Sequence, residues 1–499
     1  MFGGLKKSAS RLALVAAAGV LSTNAYAADL GGDCCADLEE RVAELEATTA
    51  RKGTRKTSLE VWGQVNKIIV AWNDGINRNA VLATDNVNAS TRFGFRGNAK
   101  ITPGLTAGYS IVIEQATGGR SSNLSQGADK APGSGIVATA TGFNTAYTAN
   151  DAGVSMREAN WWIESSSVGR LTVGRFVAGA GPQGTIDLGG IGLTVASGSM
   201  SLIGSGLAFR TNSAASTNAF NPSFTGYTVA NTTDNGAEYS TRQNGVMWAS
   251  PVLAGFTLTA SLAGTTQQDG IFTNAAGTAL SGTGPLWAVG LKYAAEFSGV
   301  RVAAAFGHED AVNENFTSLV TINGTSVRPH STNDGGSLSL MHVATGLFAQ
   351  GHYNVYTRGH DLFTAAGAPS TFATTYNTKD TARQYLVQGG ITKNWFGLGN
   401  TSLYGEYGRT NNGFNTFGQE RAGTSAIPGT APALPFVPGF AGDNTTQKLW
   451  GLGVVQNIDA AAMELFAGYR HFSLSSDNCA LMGGCKDIGM FTTGARIRF

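Results

Sequence analysis

The chain has 499 residues, of which only 13% are charged, and it is rich in glycine, with 68 residues. Ordinary soluble proteins carry about twice that share of charge. The formal charge of +1 excludes a strongly basic surface, and with it a nucleic-acid partner.

At the N-terminus Lys6, Lys7 and Arg11 precede an apolar run from Leu12 to Leu21 and a small-residue Ala25-Tyr26-Ala27 site. This is the pattern of an export leader over residues 1–27. About ten apolar residues fall short of the roughly 20 that a helix needs to cross a bilayer. Removing the leader's three cations takes the formal charge to −2, because residues 1–27 hold no Asp or Glu.

Residues 28–57 form a second unit. Leu38, Val42 and Leu45 recur at helical spacing, Asp33 or Asp37 can cap, and Arg51 to Lys56 reads as a solvated hinge. Two heptads are too short for a lone coiled coil. Tethered to an associating body, three copies could form a stub; the alternative is a helix lying alone in the periplasm. Cys34 and Cys35 lie here, and Cys479 with Cys485 can close a short external loop by a disulfide in an oxidising compartment. No histidine lies near either pair, which disfavours a metal site.

From Leu59 onward the pattern alternates with a period of two. Arg92, Gly94, Arg96, Asn98 and Lys100 share one face, and Phe93, Phe95, Gly97, Ala99 and Ile101 the other. Sixteen such pieces are predicted: 59–74, 92–101, 105–117, 157–164, 170–177, 242–249, 256–263, 286–296, 301–308, 337–343, 347–357, 382–393, 401–409, 448–456, 464–472 and 488–499. Many are near the roughly 9 to 11 residues of a tilted membrane strand. Short turns such as Thr102-Pro103-Gly104 alternate with long polar stretches such as 118–156, 178–241 and 410–447.

No long apolar run suits a membrane helix, so a bilayer-crossing chain of this kind must use strands closed into a barrel. The expected fold is all-β: a 16-stranded antiparallel transmembrane β-barrel over residues 58–499. A soluble β-sandwich or propeller shares the alternation. It would need helices or a second sheet to cover so much apolar face, and the sequence supplies neither. The last strand ends in an aromatic, Phe499, with Phe491, Thr493, Ala495 and Ile497 on its face.

Six histidines, His308, His330, His342, His352, His360 and His471, show no metal-spaced pair, and no Gly-x-Ser-x-Gly nucleophile turn occurs. The expectation is therefore a protein that is not an enzyme and needs no cofactor.

The leader, the run DCCADLEERVAELEATTARKGTRK, the first strand SLEVWGQVN, and STRFGFRG, VGRLTVGRF and Phe499, in that order and spacing, resemble the alphaproteobacterial porins, a branch of the sixteen-stranded general porins. That resemblance covers essentially the whole mature chain. It implies an integral outer-membrane channel surrounded by lipid, passing small hydrophilic solutes and ions without an energy source, and a homotrimer. It also implies a third external loop, 178–241, folded into the barrel. The acid of that loop is then Asp187, and the facing wall arginines are Arg92 and Arg242, with Arg96 and Lys100 on the same polar face as Arg92. A mild anion preference follows, which inward Glu158 and Glu164 can cancel. Two positions depart from the pattern: Gln64 stands where enteric porins carry lysine, and Arg157 has the parity of outward Trp161 and Ile163, so it reaches the lumen only through a bulge or a loop position. Arg175 also falls on the outward face, where a neighbouring subunit suits it better than lipid.

Overall fold

The computed structural model describes residues 57–115, 120–124, 137–138, 143–144, 153–177, 179, 186–192, 200, 202–210, 224–229, 242–263, 286–312, 326–363, 379–412, 445–476, 479–480 and 483–499. The leader, the expected helix, and Cys34 and Cys35 lie outside them.

The main sheet contains β1 (Glu60–Asn73), β2 (Arg78–Asp85), β3 (Arg92–Thr102), β4 (Leu105–Gln115), β5 (Val154–Ser165), β6 (Gly169–Val177), β7 (Arg242–Ala249) and β8 (Phe256–Ala263). It continues through β9 (Leu286–Phe297), β10 (Val300–Val312), β11 (Ser326–His342), β12 (Leu347–Phe363) and β13 (Lys379–Lys393). The last four are β14 (Thr401–Asn411), β15 (Thr446–Ile458), β16 (Met463–Ser475) and β17 (Ile488–Arg498).

All pairings are antiparallel, and β17 returns to β1 in a ladder from Gln64↔Arg498 to Asn73↔Gly489. Among the described residues sixteen of these strands make the closed ring. β2 is an addition to it: the first half of β1 pairs with β3 from Glu60↔Arg96 to Gln64↔Arg92, and the second half pairs with β2 from Lys67↔Asp85 to Asn73↔Arg78. Closure of the ring removes the free edges that a strand protein in lipid cannot keep.

All sixteen predicted pieces are strands. The largest difference in length is at β11, which begins at Ser326 instead of Ser337. Residues 326–336, SVRPHSTNDGG, show no apolar alternation, because a strand segment outside the hydrocarbon layer has no lipid-facing side to fill with apolar residues. There the hydrogen-bond ladder to β12 carries the strand, and no sequence period marks it.

The short connections stay tight for steric reasons. Gly346, between β11 and β12, has φ +73, and a Cβ there would sit 2.0 Å from the Thr392 carbonyl oxygen. Only glycine fits that turn.

The two faces of the wall differ in what covers them. Phe93, Trp161, Leu258, Phe306, Leu338 and Leu452 project outward and exposed, as lipid-facing residues must. Inside, an apolar cluster joins Ile68, Val70 and Trp72 of β1, Leu386, Leu449, Phe466, Phe472 and Met490 of later strands, and Leu124, Ile191, Met200, Ile203, Leu207 and Phe209 of the loops. Part of the lumen is thus filled by folded-in loop.

Candidate pore constriction

The third loop enters the interior at Gly179, whose N–H donates to Ser261 Oγ at 2.7 Å and whose carbonyl accepts from Thr259 Oγ1 at 2.6 Å. It then follows the inner wall. Ile186 packs on Ala303 and Ala305 of β10. Leu188 N–H donates to Ser339 Oγ of β11 at 3.2 Å, and the Gly189 carbonyl accepts from Thr392 Oγ1 at 3.0 Å and Ser402 Oγ at 2.9 Å. Further along, Arg470 Nη1 donates to the Met200 carbonyl at 3.2 Å, while Nε and Nη2 hold Glu406 at 2.7 and 3.0 Å. The loop therefore lines the arc from β8 round to β16.

The facing arc, β3 to β7, carries the charge. Arg92 of β3 has Arg157, Glu114, Arg242 and Glu158 within electrostatic range, and its Nε donates to the Ser90 carbonyl at 3.2 Å. Glu114 of β4, which stands opposite Arg92 in the ladder, is the hub. Its Oε2 pairs with Arg157 and accepts from Ser90 Oγ at 2.7 Å, and its Oε1 lies 3.1 Å from Arg120 Nη2. Arg242 of β7 has its Nε 3.9 Å from Glu158 Oε1.

Arg157 reaches the lumen because the β4–β5 register shifts at its position: Val112 pairs with Glu158 and Ile113 with Met156, so Arg157 is the extra residue. A bulge re-aims its side chain, which resolves the outward parity that strict alternation assigns to it.

The expected residues separate into three places. Arg92 and Arg242 belong to the cluster around Glu114 and Glu158. Arg96 and Lys100 are not brought to it, although they share the face of Arg92. Four residues of strand place Arg96 roughly 13 Å further along β3, where it pairs with Glu60 at 2.5 Å, both side chains being more than half exposed. Lys100 lies further still and is exposed. Asp187 sits on the inward-folded loop, where its carboxylate accepts from Gly190 N–H at 2.9 Å and Gly192 N–H at 2.6 Å and from the Gln350 side chain of β12. Burial pushes the Asp187 carboxyl above the ordinary carboxylate range, against these amide donors, which pull it down.

Glu114 and Arg120 escape sequence reasoning for different reasons. Glu114 has the inward parity of a lumen residue, and its position opposite Arg92 follows from strand register. Arg120 lies in a stretch read as external loop, yet residues 120–124 are tucked inside: the Ser121 and Ser122 carbonyls accept from Gly204 and Gly206 N–H at 2.8 and 3.2 Å. Nothing local marks that return. Elsewhere, Glu164 pairs with Arg170 at 2.5 Å, outward Arg175 donates from Nε to the Met156 carbonyl at 3.2 Å, and a disulfide joins Cys479 to Cys485.

No curated protein sequence matches. Among solved structures the chain is similar to the anion-selective porin from Comamonas acidovorans, at 12% identity and a TM-score of 0.49 over 89% of this chain and 100% of that one. It is also similar to Salmonella typhi OmpF in complex with daunomycin, at 13% identity and a TM-score of 0.45 over 90% and 99% of the two chains. The outer membrane channel DcaP of Acinetobacter baumannii aligns at 11% identity and a TM-score of 0.44, again over 90% and 99%. The model of the Gram-negative porin family matches residues 12–477. A closed barrel of lipid-facing strands with a match of that extent makes the chain a member of the Gram-negative porin family, an integral outer-membrane channel for passive diffusion of small hydrophilic solutes.

Proposed function

We propose that this porin sorts small solutes and ions at a passage bounded by the β3–β7 arc and the third loop, with a mild preference for anions. The observation that supports the preference is the charge gathered there. Arg92, Arg120, Arg157 and Arg242 stand against Glu114 and Glu158, leaving cations in excess. Opposed charges in a narrow, low-dielectric passage produce a transverse field stronger than the same charges give in bulk water. An ion or a dipolar solute replaces the water ordered by that field, whereas an apolar one only disrupts it. Sorting then follows size, polarity and charge sign, with no bound cofactor and no catalytic step.

The same reading takes residues 1–27 as a cleaved leader, 28–57 as a periplasmic segment and 58–499 as the barrel. It takes three copies as the working assembly. Arg175 supports the trimer: a guanidinium on the outward face of β6 is costly against hydrocarbon and is better satisfied against a second barrel.

Single-channel recording in planar bilayers tests the proposal. Stepwise currents with a reversal potential displaced towards the anion value in a salt gradient are expected. A cation-selective reversal potential would overturn the charge assignment.

A further inference from the structure

The third loop has a second fastening at the rim with the long loops, far along the chain from the charged cluster. Arg210 ends a short strand, Ala208–Arg210, paired with Phe224–Thr228 of the same loop. Its Nε donates to Asp74 Oδ2 at 2.8 Å, and both side chains are at least 98% buried. Asp74 follows β1, and its other oxygen accepts from Ile76 and Asn77 N–H at 3.1 and 2.7 Å. One carboxylate thus closes the turn after β1 and holds the third loop.

The loop between β16 and β17 braces this contact. Lys486 N–H donates to the Arg210 carbonyl at 2.7 Å, and Lys486 directly follows Cys485, which the disulfide ties to Cys479. Cys479 is buried in the same apolar cluster as Trp72, Leu207, Phe209 and Met490. Three separate pieces of chain therefore meet at Arg210.

A buried ion pair adds little net stability, because desolvation offsets much of its attraction. What it does supply here is position, since a buried guanidinium moved away from its carboxylate leaves an uncompensated charge. The disulfide narrows the freedom of the hairpin that presents Lys486. Gly189 is held on β13 and β14 at the other end of this part of the loop, and Met200 is held by Arg470 between them. We propose that the Arg210–Asp74 pair, braced by the Cys479–Cys485 hairpin, is the positioning device that sets the width of the channel, acting from the rim without lining the constriction. This rests on the diffusion-channel reading.

The test is single-channel conductance of D74N, R210M, R210K and the double variant C479S/C485S against wild type. Unit conductance of D74N, R210M and the double variant changes by roughly 1.5-fold or more and spontaneous closures become more frequent, since a loop released from this fastening samples several positions. R210K, which keeps the charge, closes no more often than wild type. Unit conductance and closing frequency equal to wild type in D74N and R210M channels overturn the proposal. Only inserted barrels are recorded, so a folding defect does not imitate the effect. If D74N and R210M fail to insert, the cysteine double variant decides by the same two readouts. A wild-type protein that passes no current refutes the channel reading itself, a separate outcome.

Discussion

Glu114 of β4 is paired with Arg157, the residue that the β5 bulge turns into the lumen, and it holds Arg120 on its other oxygen at 3.1 Å. One largely buried acid therefore balances two arginines. Its removal takes the shared carboxylate from both, and a broken buried pair typically costs about 3–5 kcal/mol. The expected outcome for E114Q is a lower heat-denaturation temperature in detergent together with a reversal potential moved further towards the anion value. A variant with unchanged selectivity would show that this acid does not act on the pore.

Arg92 and Arg242 flank that cluster on β3 and β7. Neutralising both, as R92Q/R242Q, is expected to shift the reversal potential towards cation selectivity in a salt gradient, because charged pore-lining side chains set the sign of the preferred ion. Planar-bilayer measurement under matched salt checks it.

Arg96 provides the contrast. Its pair with Glu60 is exposed on both sides, and such pairs contribute about 1 kcal/mol or less. R96Q is expected to leave both heat stability and reversal potential near wild type. A selectivity change as large as that of R92Q would return Arg96 to the constriction.

Gly189 lies against Phe348, and a Cβ there would come within 2.4 Å of the ring. Overpacking of this kind costs about 1–3 kcal/mol, relieved by a turn of the Phe348 ring together with a shift of the loop off the wall into the passage. G189V should lower single-channel conductance while keeping the sign of selectivity.

Asp187 makes the loop's hold depend on pH. Its folded-state value is raised by burial, so between the unfolded value near 4 and the raised one the folded protein binds the extra proton. Stability from this group is greatest in acid and declines as pH rises through that window. The difference in denaturation temperature between wild type and D187N, followed from pH 4 to about 8, should vary with that sign and flatten above the window. A constant difference would mean that Asp187 does not titrate there.

The sixteen strands were legible in the chain because partition between oil and water acts residue by residue. Phe93, Phe95 and Ile101 on one side of Arg92, Arg96 and Lys100 report it without any distant partner. The same locality accounts for the alternation of short turns and long loops, and for Arg92 and Arg242 as inward residues. It also explains the failures of strict parity: period-two counting cannot locate a register shift, which exists only between two strands, so Arg157 reads as outward until β4 is placed beside it.

What the tertiary structure alone decided is which inward residues meet. Arg120 and Glu114 join because a loop folds back, Asp187 is held by its own amides and by Gln350 of the wall, and Asp74 meets Arg210 across 136 positions of sequence. Hydrophobic patterning chooses a face for each side chain. It carries no information about how a loop threads the interior, where the geometry of individual hydrogen bonds, ion pairs and apolar contacts takes over.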